Sequence, residues 1–263
     1  MMRATILGCG SSGGVPRIGP HWGACDPAEP RNRRRRCALL IEKIADGGTT
    51  TVLIDTGPDM VGQLLDAGAS TLDGVAWTHS HADHLHGIDD LRQVAFNNQA
   101  IVQGYADAAT AEVMQERFGY IFRTPEWSAY PPVCALNLID GPFTIKGAGG
   151  PVEMIPFAVD HGGFPALGYR VGSLVYLPDV KAIPETAWQI IAGAKVFICD
   201  ALRPRPHSSH AHLDLTLEWM ARLEPEIGII TNMHIDLDYA TLLTSLPAGV
   251  FPAYDGMQIE IPG

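Results

Sequence analysis

Between Val75 and Gly87 the chain reads Val-Ala-Trp-Thr-His79-Ser-His81-Ala-Asp83-His84-Leu-His86-Gly. There are 10 histidines in the whole sequence, and four of them fall within these eight residues, 79–86. Imidazole nitrogens mixed with a carboxylate form the donor set that zinc, manganese and iron accept. In an extended segment, positions 79 and 81 face the same side, so both can reach one ion. A turn at Ala82 would then carry Asp83 and His84 towards a second ion beside the first. A solvated histidine-rich loop would need no matching donors elsewhere, yet three candidates exist. His161 follows the apolar run Val152–Phe157, Asp179 follows Leu174–Leu177, and His234 follows Ile227–Thr231. Each lies just past the end of a predicted strand, where α/β proteins gather site residues.

The elements that must position these donors alternate between strand and helix. Predicted strands are Arg3–Leu7, Ala38–Glu42, Thr51–Asp55, Val75–Thr78, Ile101–Gln103, Val152–Phe157, Gly168–Val171, Leu174–Leu177, Val196–Cys199, Ile227–Thr231 and Gln258–Ile261. They are short, rich in β-branched residues and bounded by Gly, Pro or Asp. Predicted helices are Met60–Ala67, Ile88–Phe96, Ala108–Phe118, Glu185–Ala192, Leu215–Leu223 and Tyr239–Ser245. Asp59, Asp107, Asp214 and Asp238 stand where N-caps belong. So many short strands exceed one simple parallel sheet. An α+β or α/β core of two mixed β-sheets flanked by helices fits better. No linker, repeat or low-complexity segment divides residues 1–263, which are expected to form one domain. The Pro-rich stretch Thr124–Pro142 reads as a surface excursion.

Composition narrows the function classes. Hydrophobic residues make up 46% and charged residues 18%, too apolar for a disordered chain. No apolar run approaches the roughly 18–20 residues of a membrane span. The start, Met1-Met2-Arg3 and then Ala4–Leu7, is too short for an export signal, which points to the cytoplasm. The five cysteines are odd in number and scattered, so they form no disulfide framework. A net charge of −11 argues against broad nucleic-acid binding. Within this acidic chain Arg31 and Arg33, Arg34, Arg35 and Arg36 form a cationic block that is either a solvated face or a phosphate-binding one. The glycine run Gly8–Gly14 matches no nucleotide fingerprint and reads as tight turns.

His79-Ser80-His81-Ala82-Asp83-His84 resembles the HxHxDH signature of the metallo-β-lactamase superfamily, and Ile54-Asp55-Thr56-Gly57 resembles its upstream aspartate turn. The resemblance implies a four-layer αβ/βα sandwich with two divalent ions (Zn or Mn, with Fe also compatible) at one edge. It assigns His79, His81 and His161 to the first ion, Asp83, His84 and His234 to the second, and Asp179 to both. Asp55 would orient the metal loop from behind, and His86 would stand in the same supporting role. The segments Leu246–Val250 and Tyr254–Ile259, Trp22-Gly23, the basic stretch before Cys37, Phe164–Tyr169 and His212-Leu213-Asp214-Leu215 are similar to PhnP-type phosphodiesterases. That likeness implies a small phosphodiester substrate, allows a homodimer, and makes His212 the candidate for phosphate binding or leaving-group protonation.

Two departures stand out. Such relatives carry a structural zinc held by three closely spaced cysteines after Trp-Gly, whereas here only Cys25 is present, and a site from His21, Cys25 and Cys37 matches no standard spacing. Relatives also place a His directly after the strand-end Thr, where this chain has Asn232. In the mechanism the resemblance implies, two ions about 3.5–4 Å apart generate a hydroxide nucleophile. Asp83 would orient the attacking water, His212 would donate the proton, and His207 and His210 would belong to a polar surface loop. The rival readings are a ribonuclease Z type tRNA-processing endonuclease, a glyoxalase II type thioesterase and a non-catalytic metal-binding member.

Overall fold

A computed structural model describes residues 1–124, 126 and 129–262. Its first sheet contains β1 (Met2–Gly8), β2 (Ala38–Ala45), β3 (Gly48–Ile54), β4 (Gly74–Ala76), β5 (Val102–Ala106) and β6 (Cys134–Leu138). The second contains β7 (Phe143–Ile145), β8 (Val152–His161), β9 (Phe164–Val171), β10 (Leu174–Leu177), β11 (Val196–Asp200), β12 (Ile227–Thr231) and β13 (Val250–Pro252). The last strand, β14 (Met257–Glu260), returns to the edge of the first sheet beside β1. The orders are β14-β1-β2-β3-β4-β5-β6 and β13-β12-β11-β10-β9-β8-β7. Each sheet changes from antiparallel to parallel part-way across, at β3–β4 in one and at β10–β11 in the other.

Strand alternation explains the layering. On β2, Leu39 and Ile41 face the second sheet, in one cluster with Ile54, Phe157, Tyr169 and Ile198. Leu40 between them faces the other way, in a cluster with Leu53, Val75 and the helices α1 (Met60–Ala67), α3 (Leu91–Asn98) and α4 (Ala108–Phe122). The opposite outer layer is α5 (Glu185–Ile191), α6 (Leu213–Leu223) and α7 (Tyr239–Ser245), packed on β8, β11 and β13. The expected four-layer sandwich of two mixed sheets is therefore what the chain forms.

Local expectations fail where context overrides pattern. Residues 134–138, inside the expected excursion, form β6, because Cys134–Leu138 pairs in parallel with β5; Pro125, Trp127 and Ser128 lie outside the described residues. β13 was missed because it ends in Pro252, which an edge strand tolerates. A single helical turn, α2 (Ala82–Leu85), stands where only a bend was expected. Asp107 and Asp238 cap α4 and α7 as predicted, each accepting an N–H from the third residue on. Asp214 instead lies inside the first turn of α6, and His212 occupies the N-cap.

Candidate metal centre

The site forms where strands of both sheets end. β3 delivers Asp55, which has a left-handed backbone (φ 68°) and is fully buried. Two residues later the chain passes so close to the metal loop that a Cβ on Gly57 would lie 2.2 Å from the Asp83 carbonyl oxygen. Asp55 Oδ1 accepts the Thr78 N–H at 2.8 Å, and Oδ2 accepts the Thr78 hydroxyl at 2.8 Å and His84 Nδ1–H at 2.7 Å. The Thr78 oxygen is also 3.0 Å from His79 Nδ1, so the histidine can donate to it. With Nδ1 engaged on both rings, Nε2 of His79 and of His84 is turned inward.

The second sheet supplies the opposing donors. β8 ends in His161, whose Nδ1–H donates to the Ser209 carbonyl at 2.6 Å, leaving Nε2 at 3.4 Å from Asp179 Oδ2. Phe164 stacks on His81 at 4.3 Å between ring centroids and holds that imidazole in place. Donor atoms of His79, His81, His161 and Asp179 all lie within 4.8 Å of one another, the one such grouping among the described residues. Asp179 Oδ1 is also 3.2 Å from His84 Nε2, and Asp83 Oδ2 is 3.6 Å from the same nitrogen.

These residues fit divalent cations on their own chemistry. Burial, with neighbouring imidazoles adding to it, holds His79 well below the usual histidine range, and burial also lowers His81 and His161. Neutral imidazoles keep the lone pair that a metal needs. Burial opposes ionisation of Asp179, yet the charge of His84 and the rings around it hold its carboxyl well below the usual carboxylate range. His84 Nε2 is buried and faces the carboxylates of Asp179 at 3.2 Å and Asp83 at 3.6 Å, an imidazole–carboxylate grouping of the kind a divalent cation takes up.

Several expected residues are not where the sequence suggested. His234 is outside the cluster: its Nδ1 is 3.0 Å from Asp236, and the ring stands at the rim of a cavity of about 430 Å³. The cause is Asn232, whose left-handed backbone (φ 58°) keeps its own side chain over the strand end. Asn232 Nδ2 lies 3.2 Å from Asp179 Oδ1, Asp200 Oδ1 and His210 Nδ1. His210, expected in a polar loop, lines the cavity; its Nδ1 is 2.8 Å from Asp200 Oδ2, and its ring is 4.5 Å from that of His161. Burial works against a charged His210, but the Asp200 carboxylate outweighs it and raises the imidazole above its usual range. His212 begins α6, does not line the cavity, and has a buried Nδ1 without a partner. His86 is exposed and packs edge-on against Phe118, away from the cluster.

The arginine block also points elsewhere. None of Arg33, Arg34, Arg35 and Arg36 lines the metal cavity; they flank a separate groove of about 600 Å³. Arg35 pairs with Asp66 and Asp255, Arg36 with Asp59, and Arg33 lies over Trp22. Arg34 is 2% exposed and donates to Asn32 Oδ1 and the His234 carbonyl, tying the N-terminal arm to the cavity rim. Cys25 Sγ donates to the Ile235 and Leu237 carbonyls, and Cys37 Sγ to that of Gly10, and with His21 they form no metal-ligand grouping among the described residues. The arginines that do line the cavity are Arg17 and Arg203, which no sequence pattern marked.

A family model described as a Beta-lactamase superfamily domain matches residues 50–235, from β3 through every donor named above. The chain belongs to the metallo-β-lactamase superfamily. A new diphosphatase of the PhnP family is 32% identical, with a TM-score of 0.87 over 100% of this superfamily member and 98% of that chain. Human tRNase Z, short form, is 16% identical with a TM-score of 0.66 over 99% of each chain, a likeness of fold alone. An octanoyltransferase of Porphyromonas gingivalis (strain ATCC BAA-308 / W83) is 32% identical over 266 residues, which is 99% of this chain and 52% of that protein. The chain thus spans about half the length of the curated relative it matches. No described helix is long and apolar enough to cross a membrane.

Proposed function

We propose that this protein is a metal-dependent phosphodiesterase acting on a small phosphodiester through two divalent ions. The observation that carries the reading is one cavity wall holding His81, Asp83, His161 and Asp179 beside His210, an imidazole backed by a buried carboxylate. Bound ions would supply Lewis acidity towards a phosphate oxygen and lower the pKa of a nucleophilic water. His79, His81 and His161 would hold one ion, Asp83 and His84 the other, and Asp179 both. Asp55 keeps His84 turned inward. Asp200 accepts from His210 Nδ1–H, which leaves Nε2 as the nitrogen that gives the leaving oxygen its proton. His210 takes the role first expected of His212, because it lines the cavity and has a carboxylate behind it.

The lining supports phosphate over the rival substrates. Around the metal wall it is built from Ser11, Ser12, Arg17, Arg203, His207 and Ser209, with Leu202 as its apolar member. An octanoyl chain or a thioester would gain little there. A net charge of −11 opposes a tRNA precursor. Assaying bis-p-nitrophenyl phosphate, a cyclic ribose phosphate, S-lactoylglutathione and a tRNA precursor side by side with Mn²⁺ or Zn²⁺ tests the reading. Chelator-sensitive turnover of the two small phosphodiesters is expected. Turnover of the thioester or tRNA alone would overturn it.

A further inference from the structure

The arginine groove is separate from the metal cavity yet shares a wall with it. Gly14, Val15 and Pro16 line the groove, whereas Ser11, Ser12 and Arg17 of the same arm line the cavity, and no residue lines both. In a chain of net charge −11, five of the 18 Lys and Arg residues fall within positions 31–36. Strand alternation sorts them. Arg34 is bridged to Val15 and buried, so along this extended segment Arg33 and Arg35 share the outer side. The carboxylates sort them further. Asp66 and Asp255 are the acidic residues of the lining, and both are engaged by Arg35, at 2.7 and 3.3 Å. Asp255 also accepts the Cys9 and Arg35 backbone N–H groups at 3.2 and 2.8 Å, which leaves it little for a second cation. Arg36 is neutralised by Asp59 at 3.0 Å.

Arg31 and Arg33 remain. Arg33 is exposed and makes no ion pair or hydrogen bond among the described residues; its guanidinium lies over the Trp22 ring at 5.4 Å. Arg31 is also exposed, its Nε is 3.7 Å from Glu29, beyond hydrogen-bond length, and its guanidinium lies over Tyr239 and Tyr254 at 4.9 and 5.8 Å. Aromatic faces hold a guanidinium in place without cancelling its charge. Two such forks at one groove suit the oxygens of a phosphate monoester. The rest of the lining is different in kind, because Pro16, Pro30 and Tyr254 offer an apolar side on which a flat ring can lie. The volume of about 600 Å³ is that of a small-molecule site, and the acidic charge of the whole chain opposes a long polyanion. We propose that this groove binds a nucleoside monophosphate, with its phosphate on Arg31 and Arg33 and its base against Pro16, Pro30 and Tyr254. The site is distinct from the metal centre, and it does not depend on the phosphodiesterase reading.

The test is calorimetric titration of AMP into the metal-loaded full chain. A binding event is expected that Arg31→Ala and Arg33→Ala each weaken about 10–100-fold and that the double variant abolishes. Arg17→Ala and Arg203→Ala, on the cavity side of the shared wall, should leave that event in place. Arg33→Lys should restore part of the loss, since it keeps the charge but not the fork, and this rescue separates a lost contact from a damaged fold. Added salt should weaken the event, because both arginines are exposed. Adenosine, which lacks the phosphate, should not bind, and inorganic phosphate, which lacks the base, should bind at least about tenfold more weakly than AMP. Absence of AMP binding overturns the proposal. So does AMP binding that both groove variants leave intact but that disappears with the metals or in Arg17→Ala and Arg203→Ala, since the phosphate would then sit at the metal centre. Inorganic phosphate binding as tightly as AMP would overturn the contact with the base and, with it, the nucleotide as the ligand.

Discussion

The wall of the site that follows β4 and the wall built from the ends of β8, β10, β11 and β12 are held in different ways. The first is local. His79, His81, Asp83 and His84 lie within six residues, and one buried carboxylate, Asp55, fixes Thr78 and His84. The second is assembled at long range. His161 is oriented by the Ser209 carbonyl, and Asn232 gathers Asp179, Asp200 and His210. The rim at His234 is tied to Arg34, 200 residues earlier in the chain. A local wall concentrates its tolerance in one supporting residue, whereas the assembled wall spreads it over several loops.

The sharpest way to break this contrast is to remove the proposed proton donor of the assembled wall. His210→Ala is expected to lower kcat on a cyclic ribose phosphate, whose leaving group is a poor alkoxide, by roughly 10²–10⁴-fold. The loss on bis-p-nitrophenyl phosphate should be smaller, because its leaving group departs without a proton. His212→Ala should cost less than about tenfold on either. A reversed ranking would return the acid role to His212 and make the Asp200–His210 pair structural.

Next in size is the support of the local wall. Asp55→Ala leaves Thr78 and His84 without their buried acceptor and should weaken metal binding about 10–100-fold, measured by competition with a chromophoric chelator. Unchanged metal affinity would mean that the loop keeps its shape without Asp55, and the contrast between the walls would disappear.

The same contrast decides what the sequence could reveal. Contiguous donors carry their own register, because strand and turn geometry dictate which side chains share a side. So His79, His81, Asp83 and His84 were legible, as were the two-sheet layering and most helices. The ends of separate strands give only candidates. His161 and Asp179 sit directly at strand ends and were found. At β12 the strand-end residue is Asn232, and its left-handed backbone carries His234 past the cluster to the rim. His210 comes from a loop without periodicity and is recognisable only through Asp200, ten residues earlier. The signal available was an aspartate at the end of β11, the feature that had marked Asp179. The arginine block stayed open between two readings because charge density in sequence does not tell a free cation from one already paired, as Arg35 and Arg36 are.

A smaller effect separates the two residues after β12. His234→Ala is expected to retain the full metal complement by elemental analysis, since its ring faces Asp236 outside the cluster. Asn232→Ala removes the amide that joins Asp179, Asp200 and His210, and should weaken metal binding about tenfold. Loss of metal in His234→Ala with none in Asn232→Ala would show that the rim histidine swings inward when ions are present.

The smallest effect probes how the assembled wall is anchored. Asp238 caps α7 by accepting the Thr241 N–H at 2.9 Å, and its other oxygen accepts the Asp26 N–H at 3.1 Å and Asn32 Nδ2 at 2.7 Å. Partial burial disfavours its charge, but these donors outweigh it and pull the pKa down to about 2. An unfolded aspartate titrates near 3.9, so the native chain binds fewer protons than the unfolded one between about pH 4 and 2. The stabilisation is therefore fully present above about pH 4 and is lost as the pH falls through about 2. Because the carboxylate is partly solvated, Asp238→Ala should cost about 1 kcal/mol at neutral pH in urea unfolding, and less in acid as the wild type loses the same contribution. Amide exchange locates the damage. The Met233 and His234 N–H groups, bonded to the Cys9 and Leu202 carbonyls, should lose protection, while those of Thr56 and His84 in the local wall should not. Equal loosening of both walls would show that they unfold as one unit.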